Sequence, residues 1–106
     1  MDSRSRIFQA RQQARAVKAH ADIALFELHR RAVDALMGPD AESVVQKASD
    51  QIRKWEAGRL CSQHYIDAWR NILSMPPDAA SKAILQPDGD GPALRQNTPF
   101  GFLSLR

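Results

Sequence analysis

The 106-residue sequence contains one cysteine, Cys61, so it can form neither an internal disulfide nor a cysteine-rich zinc module. No apolar run approaches the ~20 residues that a membrane span requires, and mean hydropathy is −0.45. Met1–Ala10 carries polar side chains throughout and so lacks the apolar core of a secretory signal. The expected location is therefore cytoplasmic. Phosphate-cradling glycine loops of either common type are missing, as is a Gly-x-Ser-x-Gly elbow. Sustained apolar–polar alternation is missing too, which argues against strands. What remains is 43% hydrophobic and 25% charged, the composition of a compact domain rather than a disordered chain.

Charge is unevenly placed. The formal net charge is +3, and residues 1–37 carry that whole surplus, with seven basic and four acidic side chains. Arg11, Arg15 and Lys18 follow one another at spacings of four and three, which places them on one helical stripe. Such a stripe either attracts an acidic partner or a phosphate backbone, or is simply a solvated face.

The hydrophobic rhythm is helical. Ile7, Ala10, Ala14, Val17, Ala21, Ala24 and Leu28 recur at three and four residues, and Leu25, Leu28, Ala32, Ala35 and Leu36 continue the stripe until Gly38-Pro39 stops it. A helix from about Arg4 to Met37 would be roughly 50 Å long at ~1.5 Å per residue, more than the diameter expected of so small a domain. Either it breaks near His20-Ala21-Asp22, with Asp22 capping a second segment, or it projects and packs against a partner. Asp40 reads as an N-cap for a second helix with Ala41, Val45, Ala48, Ile52 and Trp55 on its apolar face and Gly58 as a left-handed terminator. Ser62 opens a third helix with the stripe Ile66, Trp69, Ile72 and Leu73, ended by Met75-Pro76-Pro77. Asp78 is placed to cap a short fourth helix containing Ala80, Ala83 and Ile84 and closed by Pro87.

The fold class expected is thus all-α: a small bundle with a long N-terminal helix, two further amphipathic helices and a short fourth, over residues 1–86. Residues 87–106 read differently. Pro87-Asp88-Gly89-Asp90-Gly91-Pro92 is turn chemistry, and the segment beyond it, with Leu94, Phe100, Phe102, Leu103 and Leu105, reads as an irregular apolar strap. Fourteen residues cannot build their own core, so the strap packs on the helices or on a partner.

Few groupings suggest chemistry. Cys61 and His64 sit three apart at a helix start, where a thiol can be activated, but a half-buried cysteine beside a surface histidine reads the same way. His20 and His29, nine residues apart, fall on opposite helix faces and cannot share a metal. Asp88-Gly89-Asp90-Gly91 starts like a calcium loop, yet Pro99 stands where the twelfth-position carboxylate is needed. No catalytic residue, metal, cofactor or small-molecule substrate is expected. Trp55 and Trp69 lie on the apolar stripes of neighbouring helices, as core fillers or as a stacking platform.

Two resemblances bear on function. Ser49-Asp50-Gln51-Ile52-Arg53-Lys54-Trp55-Glu56-Ala57-Gly58 resembles the end of the recognition helix in phage-repressor-like helix-turn-helix proteins. That resemblance implies that Ser49, Gln51 and Arg53 face the major groove. The preceding Glu42-Ser43-Val44-Val45-Gln46 lacks the Leu-Ala pair and the glycine turn of that family, so the motif would be degenerate. The order of a long Ala-rich basic helix, Tyr65-Ile66-Asp67-Ala68-Trp69 and Ala93-Leu94-Arg95-Gln96-Asn97-Thr98-Pro99-Phe100 resembles small uncharacterised helical proteins of proteobacterial chromosomes and mobile elements.

The expected function is a non-enzymatic interaction or regulatory protein that binds a macromolecular partner, protein first, with a homodimer through the first helix as one form of it. Arg11, Arg15, Lys18, Phe100 and Phe102 are its candidate contacts. The alternative is a DNA-binding transcriptional regulator acting through Ser49, Gln51, Arg53, Lys54 and Arg59.

Overall fold

The computed structural model describes residues 3–104, with side chains described from residue 20 onward. In chain order the elements are α1 (Ser3–Leu36), α2 (Ala41–Gly58), α3 (Gln63–Leu73), α4 (Pro77–Ile84), α5 (Gly91–Gln96) and a 3-10 turn, Gly101–Leu103. There is no strand among the described residues. α1 passes through Asp22 without the break that residue suggested. It ends where expected, Met37 and Gly38 donating back to the carbonyls of Val33 and Ala35 before Pro39 turns the chain.

Each helix delivers an apolar stripe to one core. Leu28, Ala32 and Leu36 of α1 are buried at spacings of four, and so are Val44, Ala48 and Ile52 of α2. The buried line of α2 therefore begins at Val44, and the predicted Val45 and Trp55 flank it, half-buried. Ile66, Trp69 and Ile72 of α3 and Ala80 and Ile84 of α4 complete the centre. Ala32, Ala48 and Ala80, all nearly or fully buried, are small enough for neighbouring helix axes to approach closely.

Two helix ends differ from expectation. The left-handed residue closing α2 is Arg59, at φ 53° and ψ 40°, and not Gly58. Leu60 explains the shift: its backbone N–H reaches the Trp55 carbonyl at 2.9 Å, and its side chain folds over Gly58, where a Cβ would meet Leu60 Cγ at 3.1 Å. Asp78 lies inside the first turn of α4, because Pro77, which needs no N–H partner, takes the first helical position. The Asp40 and Ser62 side chains precede α2 and α3 without making a capping hydrogen bond.

The larger correction concerns residues 87–106. What read as an irregular strap contains α5 and the 3-10 turn, and it packs on its own chain, against α1 and α4. Leu94, Pro99 and Phe100 are buried. Gly91 makes this closure possible: a Cβ there would stand 1.9 Å from the Gln86 carbonyl oxygen, so only glycine allows the loop before α5 to fold so tightly. Asp88 accepts the Gly91 N–H in the same turn, and Gly89 adopts φ +62°.

Candidate functional site

The C-terminal segment is anchored by polar groups inside the apolar core. The Arg95 side chain, in a residue only 7% exposed, donates through Nη1 to the carbonyls of Ile84 (3.0 Å) and Gln86 (2.7 Å), satisfying acceptors freed at the end of α4. Trp69, fully buried, donates its indole N–H to the Asn97 carbonyl at 2.7 Å. His29 of α1, also fully buried, bridges the Leu25 carbonyl and Thr98 Oγ1, each at 2.7 Å. Trp69 lies stacked against the imidazole at 6.1 Å, and Phe100 meets Trp69 edge-on at 5.5 Å. Burial lowers the His29 pKa below its ordinary value; the Leu25 bond opposes this, and the positive field of Arg95 adds to it. Burial also lowers that of Arg95, which Asp22 partly offsets.

Phe100 is consequently a core side chain with no exposure, and cannot serve as the surface anchor the sequence suggested. Its neighbour Phe102 stays outside, 42% exposed, with Lys47 Nζ 5.7 Å from its ring centre. Arg11, Arg15 and Lys18 lie outside the residues whose side chains are described.

A groove of about 520 Å³ opens outward between α1 and α5, with Pro87 of the α4–α5 connection at its edge. Ile23, Phe26, Pro87 and Pro92 supply its apolar walls, and Asp22 and Glu27 place carboxylates along the α1 side. Ile23 is 61% exposed and shares its helix face with the half-buried Phe26, so the two form an apolar patch beside the carboxylates. Arg95 forms the inner wall, its guanidinium 5.2 Å from the Phe26 ring centre. The helix fixes this arrangement: Asp22, Ile23, Phe26 and Glu27 are related by steps of three and four residues and so share a face.

The DNA-facing candidates do not converge in this way. Ser49 and Arg53 are one turn apart and line a second groove, of about 460 Å³, with Gln46, Arg70 and Ser74. Gln51 is half-buried and turned roughly 160–200° away from both on α2. Arg53 is ion-paired with Asp50, and Arg70 in the same groove is held by Glu56 at 2.7 Å, which lowers the Glu56 pKa. Lys54 and Arg59 are exposed, Arg59 beyond the helix end. α2 is one uninterrupted helix over Ala41–Gly58, so no turn divides it into the two crossing helices of a repressor motif.

Cys61 is half-buried, and the exposed His64 packs its ring on Tyr65 at 5.1 Å, with no hydrogen bond between the pair. Among the described residues, no three His, Cys, Asp or Glu side chains gather as a bound metal would require, and no helix is long and apolar enough to cross a membrane.

Periodicity could have flagged His29, which stands four after Leu25 and three before Ala32 on the apolar stripe of α1. Arg95 gave no such signal, since its acceptors are carbonyls that only the closed chain presents.

These features define an all-helical bundle that closes over its own C-terminal segment and turns a helix-walled groove outward. Compared with models of known protein families, with curated proteins and with solved structures, the chain matches none.

Proposed function

We propose that the protein is a non-enzymatic interaction or regulatory protein, cytoplasmic and of bacterial or mobile-element origin, that acts by binding a protein partner. The observation that carries this reading is the α1–α5 groove, which exposed Ile23 lines together with Phe26 and the carboxylate-bearing Asp22 and Glu27. An apolar patch bordered by charge is the usual build of a specific protein interface. Ile23 and Phe26 are the anchoring side chains of this surface.

Two further surfaces belong to the same reading. Phe102, exposed above Lys47, is a second contact point at the α1–α2 turn. The first half of α1, with its alanine seam and the basic stripe Arg11, Arg15 and Lys18, would extend from the bundle as a long continuous helix and pair with a partner, a second copy of the chain included. Charge reversal of Arg11, Arg15 and Lys18 should then leave the fold intact and weaken partner binding.

Affinity capture from the native host lysate, run with and without nuclease and with an Ile23→Asp chain alongside, tests the proposal. A protein retained after nuclease treatment and lost with Ile23→Asp supports it. Capture abolished by nuclease, with direct binding to duplex DNA that weakens steeply as salt is raised, would instead support a DNA-binding regulator acting through Ser49, Arg53, Lys54 and Arg59.

A further inference from the structure

The core polar network includes one group that can change charge near neutral pH, and it lies where α1 meets the C-terminal segment. His29 Nδ1 faces the Leu25 carbonyl, which can only accept, so the ring proton sits on Nδ1. Nε2 is then a lone pair, and the Thr98 hydroxyl donates to it. Thr98 Oγ1 in turn accepts the Phe100 N–H at 3.0 Å. Every member of this chain is satisfied in a single direction, with the imidazole neutral.

A second proton breaks that consistency. It would sit on Nε2 and point at the Thr98 hydroxyl, which must then turn its own hydrogen away and accept, while still accepting the Phe100 N–H. The new charge would also have no exposure to water. The surroundings do not compensate. α3 faces the ring with Trp69, and the segment after α5 faces it with Thr98 and Phe100, none of which can carry a negative charge near neutrality. The charged group acting from α5 is Arg95, of the same sign. Trp69 stacks at 6.1 Å, at the outer limit of about 6 Å for useful cation–π attraction.

We propose that the His29–Thr98 contact is a proton-operated latch: protonation of His29 releases residues 97–104 from α1 and α3 while helices α1–α4 remain folded. The lowered pKa that burial gives His29 agrees with this geometry, because the docked state prefers the neutral ring. Release breaks the indole bond from Trp69 to Asn97 and draws Phe100 out of the core, so acid uncovers an aromatic surface that neutral pH keeps closed.

Nuclear magnetic resonance on the full chain tests the latch. The His29 ring carbons report protonation, the Trp69 indole N–H reports docking through its bond to Asn97, and the Trp55 indole serves as a control within α2. The expected result is that the Trp69 indole signal changes with the same midpoint as His29, below the ordinary imidazole value of 6.5, while the Trp55 signal and the helical circular dichroism hold steady. In a Thr98→Val chain, which loses the donor to the neutral ring, both midpoints should move together to higher pH. The proposal is overturned if the Trp69 signal persists through the His29 titration. It is equally overturned if all signals collapse together as the bundle unfolds, or if Thr98→Val leaves the release midpoint where it was.

Discussion

Replacing Trp69 with alanine removes the largest fully buried side chain and, with it, the donor to Asn97. Large aromatic-to-alanine changes in a core cost about 3–5 kcal/mol, enough to unfold or loosen so small a domain, and a denaturant titration reads the loss directly. Arg95→Met keeps much of the side chain's volume but strips the carbonyls of Ile84 and Gln86 of their donor. Leaving such acceptors unmade should cost about 1–3 kcal/mol in the same titration. Arg59 offers the opposite sign. It holds a left-handed conformation that disfavours any side chain, so Arg59→Gly should raise stability by about 0.5–1 kcal/mol. These three residues also mark what was legible. Trp69 stood out at once on the stripe of its helix, whereas Arg59 was hidden by the glycine beside it. The two carbonyls that bind Arg95 are close to it only in the folded chain.

The helices themselves were legible where they are long enough to repeat. α2 and α3 each show their apolar residues two or more times around the axis, and Gly38-Pro39 and Met75-Pro76-Pro77 punctuate them with chemistry that cannot continue a helix. α5 has six residues, too few for a period, and it begins Gly91-Pro92, which reads as turn until the fold is known. Proline near the first helical position is compatible with a helix, and Gly91 is there because the Gln86 carbonyl leaves no room for a Cβ. Gly91→Ala should therefore push α5 off its seat, at a cost of about 1–3 kcal/mol. A thermal melt indistinguishable from that of the unaltered chain would show that the close approach is dispensable. The groove was less visible still: its two walls come from α1 and from Pro87 with α5, sixty or more residues apart, and neither wall carries a motif.

At the scale of the whole molecule, the polar interior ties stability to pH. The folded chain holds His29 below its ordinary value of 6.5, so between those two values the unfolded chain binds the extra proton. Its contribution is fully present above about pH 6.5 and declines as pH falls toward the folded value. Melts at pH 7.5 and 5.5 should show the chain less stable in acid, and the difference should persist in a His20→Gln, His64→Gln background. Disappearance of the difference in that background would move the effect to the exposed histidines. Ile23, by contrast, is an outer residue, and Ile23→Asp should leave the melt unchanged while removing partner capture.

These expectations share one premise: the C-terminal segment belongs to the bundle core, so that Ile23 in the α1–α5 groove, Met37, Leu60 and Phe102 are the large apolar side chains exposed among the described residues. Hydrogen exchange followed by mass spectrometry on the isolated chain at pH 7.5 tests it most directly. Peptides covering Leu94–Phe100 should be protected to the level of α3, since Trp69 and Phe100 bury one another. Exchange of that segment at the rate of a free chain, with α3 still protected, would contradict the closure described and return Phe100 to the surface as a partner anchor.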